Sequence, residues 1–211
     1  MSQASLERRE REKEQRKQGI LDVALSLFSR RGFHNVSMQE VAEDAGFGVG
    51  TLYNFFDGKE ALFDELHNRA HDQVLDALLK ELQGPGTEVE RLRRFMQCQP
   101  VILMEHGDFI RLYVAEMGQR VNKLCAGDKN NAFRAVLESE LARVIQSAID
   151  RGLFRQVDAG LAAKAIASTM ETIAFEDSGS LNRQQHEETF ARAEAFFIDG
   201  LLVAGDSSNH A

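Results

Sequence analysis

The chain has 211 residues, 43% of them hydrophobic and two of them proline, which suits an ordered protein with one small and one larger unit and argues against disorder. No apolar run approaches the ~20 residues of a membrane span, the N-terminus is charged rather than signal-like, and Cys98 and Cys125 are too few and too distant for a zinc site or a disulfide framework. The net charge of −8 is unevenly spread, with eight Lys or Arg against five acids in residues 1–35, so a cytoplasmic protein with one basic end, an acidic body and reduced thiols is expected.

Residues 2–18 read as a helical arm with almost no apolar face, in which Glu7 with Arg11 and Glu12 with Arg16 fall at i,i+4. The arm runs into a helix whose stripe is Ile20, Ala24, Leu27 and Phe28, ending at Arg30, Arg31 and Gly32. Val36 to Glu60 then reads as two short helices around a glycine turn. Ser37 and Glu40 form a capping box opening the first, Gly46 supplies a left-handed residue at its end, and Phe47 packs back. The second, about Gly48 to Phe56, turns Leu52, Phe55 and Phe56 inward and leaves Val49, Gly50, Thr51, Tyr53 and Asn54 outward. That outward face of small residues, a hydroxyl, an amide and a phenol suits base edges better than a run of Lys and Glu would. The alternating Gly46, Gly48 and Gly50 lack the preceding strand and the Gly-Lys-Ser/Thr ending of a phosphate loop. Asp57 to Glu60 is a second capping-box pattern.

A long helix from about Lys59 to Gln83 carries Leu62, Leu66, Ala70, Val74, Leu78 and Leu82 on one face. Its His67 and His71, with Asp64, have a spacing that could hold a metal but lack a further ligand, so ordinary helix positions are expected. Gly84-Pro85-Gly86 ends it, and Thr87 with Glu90 opens the next. Pro100 should kink that helix, and His106-Gly107-Asp108 should break it before an apolar segment from Phe109 to Met117. A loop from Lys123 to Lys129 precedes a helix from about Asn131 to Arg151. Two final helices, about Ala159 to Glu176 and about His186 to Ala204, flank Asp177 to Ser180. No segment alternates with period two, so the fold class is all-α: a three-helix helix-turn-helix domain plus an antiparallel helical bundle, about nine helices.

The run Gly19 to Ala24 through Phe28, with Arg31-Gly32-Phe33, Ser37-Met38, Val41-Ala42, Ala45-Gly46, Gly50 to Phe56 and Lys59 to Phe63, resembles the N-terminal domain of the TetR (tetracycline-repressor-like) regulators over about residues 15–74. The resemblance implies an all-helical homodimer that places its N-terminal domains in adjacent major grooves of double-stranded operator DNA and binds a small effector in its C-terminal domain. It divides the chain into an arm (1–14), a DNA-binding domain (15–74, with the motif at 37–56), a ligand-binding and dimerisation domain (75–205) and a disordered tail (206–211). The DNA-binding set is then Ser37, Met38, Gly48, Val49, Gly50, Thr51, Tyr53, Asn54, Phe55 and Lys59, with Tyr53 and Lys59 on phosphates and Thr51 and Asn54 on bases. The family usually places Ser-Lys where this chain has Gly48-Val49. Val49 either touches a thymine methyl or packs against its own domain, and the basic arm stands in for the missing cation.

The second domain is rich in Phe and Met. By the same resemblance a subset lines an effector cavity: Phe95, Met96, Leu103, Met104, Phe109, Tyr113, Met117, Phe133, Leu137, Met170 and Ile173, with Arg111, Tyr113, Glu116 or Glu171 as orienting groups. The last two helices, through Ala162, Ile166, Met170 and Ile173 and through Phe190, Phe197, Leu201 and Leu202, would form the homodimer. The expected function is a DNA-binding transcriptional regulator, a repressor released by a small apolar effector, with no cofactor or metal. The alternatives are a helical ligand-binding or interaction protein that has lost DNA binding and, least supported, an enzyme, for which no nucleophile elbow, paired carboxylates or metal cluster can be named.

Overall fold

The structure, a computed structural model, describes residues 3–110, 112, 128–176 and 183–203. Within them lie nine α-helices: α1 (Gln3–Arg31), α2 (Met38–Asp44), α3 (Val49–Tyr53), α4 (Lys59–Gln83), α5 (Glu88–Gln97), α6 (Gln99–Glu105), α7 (Asp128–Asp150), α8 (Ala159–Glu176) and α9 (Arg183–Leu201). A 3-10 turn, Phe33–Asn35, links α1 to α2, and among the described residues the extended pairing is one antiparallel bridge, Phe154 to Leu202.

Two apolar cores share α4. The first gathers Ile20, Leu21, Ala24 and Phe28 of α1 with Val41, Ala42 and Leu52, and it closes only when Leu62, Phe63 and Leu66 from the first turns of α4 are added. Removing each such side chain from water contributes about 1.5–3 kcal/mol, and the stripe spacing on α1 and α4 puts those side chains on one face. The second core takes Leu78 and Leu82 from the far end of α4, Leu92, Phe95 and Met96 from α5, Leu141, Val144, Ile145 and Ala148 from α7, Ile166 and Met170 from α8, and Phe190 and Ile198 from α9. Leu112 is buried in the first core although it follows α6, while Phe109, three residues before it, packs with Ala70 of α4 and Leu25 of α1.

Buried carboxylates tie the bundle. Glu88, at the start of α5, accepts from Ser147 Oγ at 2.8 Å and from Arg151 at 2.9 Å on α7. Burial works to raise its carboxyl, but hydrogen bonds from its own backbone N–H, from Ser147 and from Arg151 outweigh that and hold it below the usual carboxylate range. Glu194 of α9 accepts from Arg93 at 2.6 Å and from Gln97 at 3.0 Å on α5.

Most expected elements are present, and the departures have local reasons. α3 is one short helix, Val49–Tyr53, with Asn54 as its C-cap rather than a helix reaching Phe56. The expected Asp57–Glu60 capping box is absent: Gly58, without a side chain, is the N-cap of α4, and Lys59 in the first turn bonds instead to the carbonyls of Phe33 and Val36. Pro100 produces a break rather than a kink, because it sits within the first two residues of α6 and the chain turns at Cys98, where a missing N–H costs nothing. Residues 128 and 129, expected in a loop, already belong to α7, and α9 begins at Arg183 rather than His186. In the arm Arg8 pairs with Glu12 at 2.8 Å and Gln18 with Glu14 at 2.7 Å, while Lys17 reaches across to Glu65 of α4. The segments 113–127 and 177–182 and the tail lie outside the described residues.

Candidate nucleic-acid interface and apolar cavity

The reading motif is held from both ends. Ser37 Oγ accepts the Glu40 N–H at 3.2 Å, and Glu40 accepts the Ser37 N–H at 2.8 Å, so both halves of the capping box form. Arg31, in the last turn of α1, donates to the other Glu40 oxygen at 2.6 Å. The Ser37 N–H, the Ser37 hydroxyl and Arg31 together pull the Glu40 carboxyl down to about 2. After α2, Gly46 takes φ 73°, and the Phe47 N–H reaches back to the Ala42 carbonyl at 2.8 Å, which turns the chain and packs Phe47 against the first core. Leu52 is fully buried and pins α3. A five-residue helix has little stability of its own, so this anchoring decides its orientation.

Of the ten expected interface residues, Ser37, Gly48, Gly50, Tyr53 and Asn54 are exposed, Tyr53 by 54%, and Thr51 is half-buried on the same helix. Met38 is not available as a side chain: it is 7% exposed in the core, leaving its backbone at the start of α2. Val49 and Phe55 are half-buried and pack against the first core, which favours the packing role for Val49 over the methyl contact. Lys59 has another engagement. Its ammonium donates to the carbonyls of Phe33 and Val36, each at 2.9 Å, and stands 4.6 Å from the Phe33 ring centroid, clasping the 3-10 turn to α4. The arm lies beside the motif: Lys13 and Lys17 share a shallow groove with Asn54 and Phe55, and Arg16 shares another with Asp44, Ala45 and Phe47.

The second domain holds a partly open cavity of about 130 Å³ between α4, α5, α6, α7, α8 and residues 106–110. Six of the expected lining residues face it: Phe95, Leu103, Phe109, Phe133, Leu137 and Met170. Met96 is instead buried in the core, Met104 is 45% exposed, Ile173 packs beside the core away from the cavity, and Tyr113 and Met117 lie outside the described residues, as do Arg111 and Glu116. Sequence reasoning missed the small and polar walls, Ala70, Ala167 and Ala174 with His71, Gln99 and His106. The expected stripe on α4, continued through His71, was the signal available for them. His71 lies 4.0 Å, ring centre to ring centre, from His67 and 5.0 Å from Phe133, and His67 lies 5.8 Å from Phe109, so His71 forms aromatic wall and the buried His67 packs behind it. Burial pushes both His71 and His106 down, keeping them neutral at neutral pH. Arg134 and Glu171 pair across α7 and α8 at the rim.

Cys98 is half-buried, and burial, with Glu81 nearby, pushes its thiol up to about 12, which leaves it unreactive; Cys125 lies outside the described residues. No group of three or more metal-ligating side chains occurs among the described residues, and no described helix is long and apolar enough to cross a membrane.

An anchored three-helix module with an exposed short second helix, mounted by one long helix on a bundle that holds an apolar cavity, defines a helix-turn-helix protein with a helical body. Family models agree in both halves: residues 20–66 match bacterial regulatory proteins of the tetR family, and residues 85–195 match the tetracyclin repressor-like C-terminal domain. The chain belongs to the TetR family of DNA-binding transcriptional regulators. Among relatives, the helix-turn-helix-type regulator YuxN of Bacillus subtilis is 28% identical over 97 residues, 46% of this chain and 33% of that protein, so the match spans about a third of the relative. The repressor KstR2 of Mycobacterium tuberculosis is 23% identical over 192 residues, 88% of this chain and 92% of its own, and the solved structure of that ketosteroid transcriptional regulator aligns with a TM-score of 0.64. A TetR regulator from Haloarcula marismortui, 17% identical, aligns over 90% of this chain and 100% of its own with a TM-score of 0.77, a likeness of fold.

Proposed function

We propose that this protein is a repressor that binds a two-fold operator as a homodimer in the cytoplasm and leaves it when a small, largely apolar molecule fills the cavity between α4 and α8. The observation that carries the DNA reading is the exposed face of α3, where Tyr53 and the C-cap Asn54 are open to solvent beside Gly50 while Leu52 anchors the helix. Asn54 and Thr51 read base edges, Tyr53 and the exposed N-terminus of α2 at Ser37 meet phosphates, and Lys13 and Arg16 of the arm add sequence-independent attraction.

The dimer forms through the outer faces of α8 and α9. Ile166, Met170, Phe190 and Leu201, expected there, are spent inside the protomer, whereas Leu161 is 67% and Phe196 75% exposed on the same two helices. One such patch per chain suits a self-complementary interface. The effector reading is supported by the cavity's position, since Ala70, Phe109 and Leu25 of α1 are packed together at its wall. A molecule that fits the cavity better in one tilt of α4 than another shifts the population between DNA-spanning and non-spanning dimers.

Selection of bound duplexes from a random pool tests the reading. An inverted repeat should emerge, and Asn54→Ala should relax preference at one position per half-site by about 1–3 kcal/mol. Enrichment of no sequence, or equal loss on selected and random DNA for Asn54→Ala, overturns it. Phe196→Glu should give monomers by sedimentation and abolish binding to the repeat.

A further inference from the structure

We propose, resting on the effector reading, that Glu171 acts as a charge filter: by occupying Arg134 at the cavity rim it makes the cavity a receptor for uncharged, mainly apolar molecules and turns away carboxylates of the same shape.

The argument begins with the walls. Thirteen of the eighteen described lining residues are apolar, so a ligand body must be hydrocarbon. The polar remainder divides into His71, Gln99 and His106, which are uncharged donors and acceptors, and Arg134 with Glu171, the two lining residues of fixed charge. Those two hydrogen-bond each other, Arg134 Nη2 donating to Glu171 Oε2, with about half of each side chain open to water, 48% and 40%. A carboxylate entering this space gives up its hydration and meets no free cation among the described lining residues, because Glu171 cancels the field of Arg134 beyond a few ångströms. The half-buried His71 and His106 do not supply the missing charge, since partial burial favours their neutral form. A hydroxyl or carbonyl loses far less, because one hydrogen bond from a neutral imidazole or from Gln99 replaces what water gave it. The volume, about 130 Å³, is close to the ~150 Å³ that holds a benzene ring, so a body of about six to eight carbon atoms is the right size for probes.

The probes are toluene, benzyl alcohol, benzoate and benzylammonium, titrated calorimetrically into the full-length protein at pH 8, where the charge of each is settled. Wild type should bind benzyl alcohol at least tenfold more tightly than benzoate. Glu171→Gln frees Arg134 and removes one negative charge, so benzoate should gain fivefold or more while toluene and benzyl alcohol stay within twofold, which also shows the cavity intact. Arg134→Gln is the reciprocal variant: Glu171 then stands alone, and benzylammonium rather than benzoate should gain. Wild-type affinity for benzoate equal to that for benzyl alcohol, or no gain of benzoate in Glu171→Gln, overturns the filter while leaving the cavity reading in place. Failure of wild type to bind toluene or benzyl alcohol at all overturns the cavity reading itself, and the filter with it.

Discussion

Replacing Lys59 by methionine keeps an unbranched stem of similar length and removes the ammonium, so it isolates the clasp between α4 and the 3-10 turn. Two hydrogen bonds from a charged donor to carbonyls, each 2.9 Å, contribute about 1.5–3 kcal/mol apiece when buried. Lys59 is half-buried, so the lower figure applies, and water will satisfy part of what Phe33 and Val36 lose. The contact with the Phe33 ring at 4.6 Å adds about 0.5 kcal/mol at such exposure. The sum is about 3 kcal/mol, which for a chain of this size lowers Tm by roughly 6–12 °C. Calorimetric melting measures that, and operator binding across a salt series separates two roles. A clasp that only positions the motif weakens binding at every salt concentration with an unchanged slope of log K against log salt. A Tm loss under about 1 °C, with the slope flattened by about 0.9 per half-site, would show that Lys59 serves phosphate and would refute the clasp.

Four further outcomes follow from the same geometry. Glu40, held at about 2 in the folded chain against an ordinary 4.5, contributes stability that is complete above about pH 4.5 and disappears as pH falls toward 2; the Tm gap between wild type and Glu40→Gln should therefore close over that window, and a constant gap would contradict it. Leu137→Ala, at a buried position on the cavity wall, should cost about 2–3 kcal/mol by denaturant unfolding, the low end for a core leucine because one side already faces open space, and added toluene should restore part of it. Val49→Ala should lower stability by about 1 kcal/mol and leave the selected sequence unchanged, as its packing against the first core requires; a changed base at one position would revive the methyl contact. Lys13→Ala with Arg16→Ala should weaken selected and random DNA alike and flatten the salt slope, whereas an unaltered isotherm at low salt would reduce the arm to a solvated tail.

What could be read without coordinates is what local chemistry decides. The capping boxes at Ser37 and Thr87 need partners three residues away, and the left-handed Gly46 and Gly152 follow the last apolar residue of their helices, so their spacing announces them. The bounds of α4 and α8 follow from stripes ended by Gly-Pro-Gly and opened after Asp158. Lys59 shows where this stops: its carbonyl partners lie 26 and 23 residues earlier, and nothing in the stretch around it says that its ammonium faces inward. Ile166, Met170, Phe190 and Leu201 make a related point, since periodicity reveals that a face is apolar but not whether the same chain or a second one covers it, and these four are covered within the protomer. A cavity is harder still. It exists where bulk is missing, so aromatic and Met side chains mark Phe133 and Met170 but not Ala70, Ala167 and Ala174, whose smallness leaves the space.

Leu112 lies well beyond the point where a sequence division at residue 74 would cut the molecule, yet it is buried, 3% exposed, among the side chains of the DNA-binding unit. Three positions earlier, Phe109 lines the cavity. The chain thus returns a plug from its second half into its first, and the N-terminal module is discontinuous in sequence. Cut out alone, it would carry a vacancy where Leu112 sat, and melting of the two halves becomes a shared event rather than two independent ones. The same holds for recombination between relatives: a reading head grafted at residue 74 onto a foreign body inherits that body's plug, so heads and bodies are interchangeable only where this single side chain matches the hole it must fill.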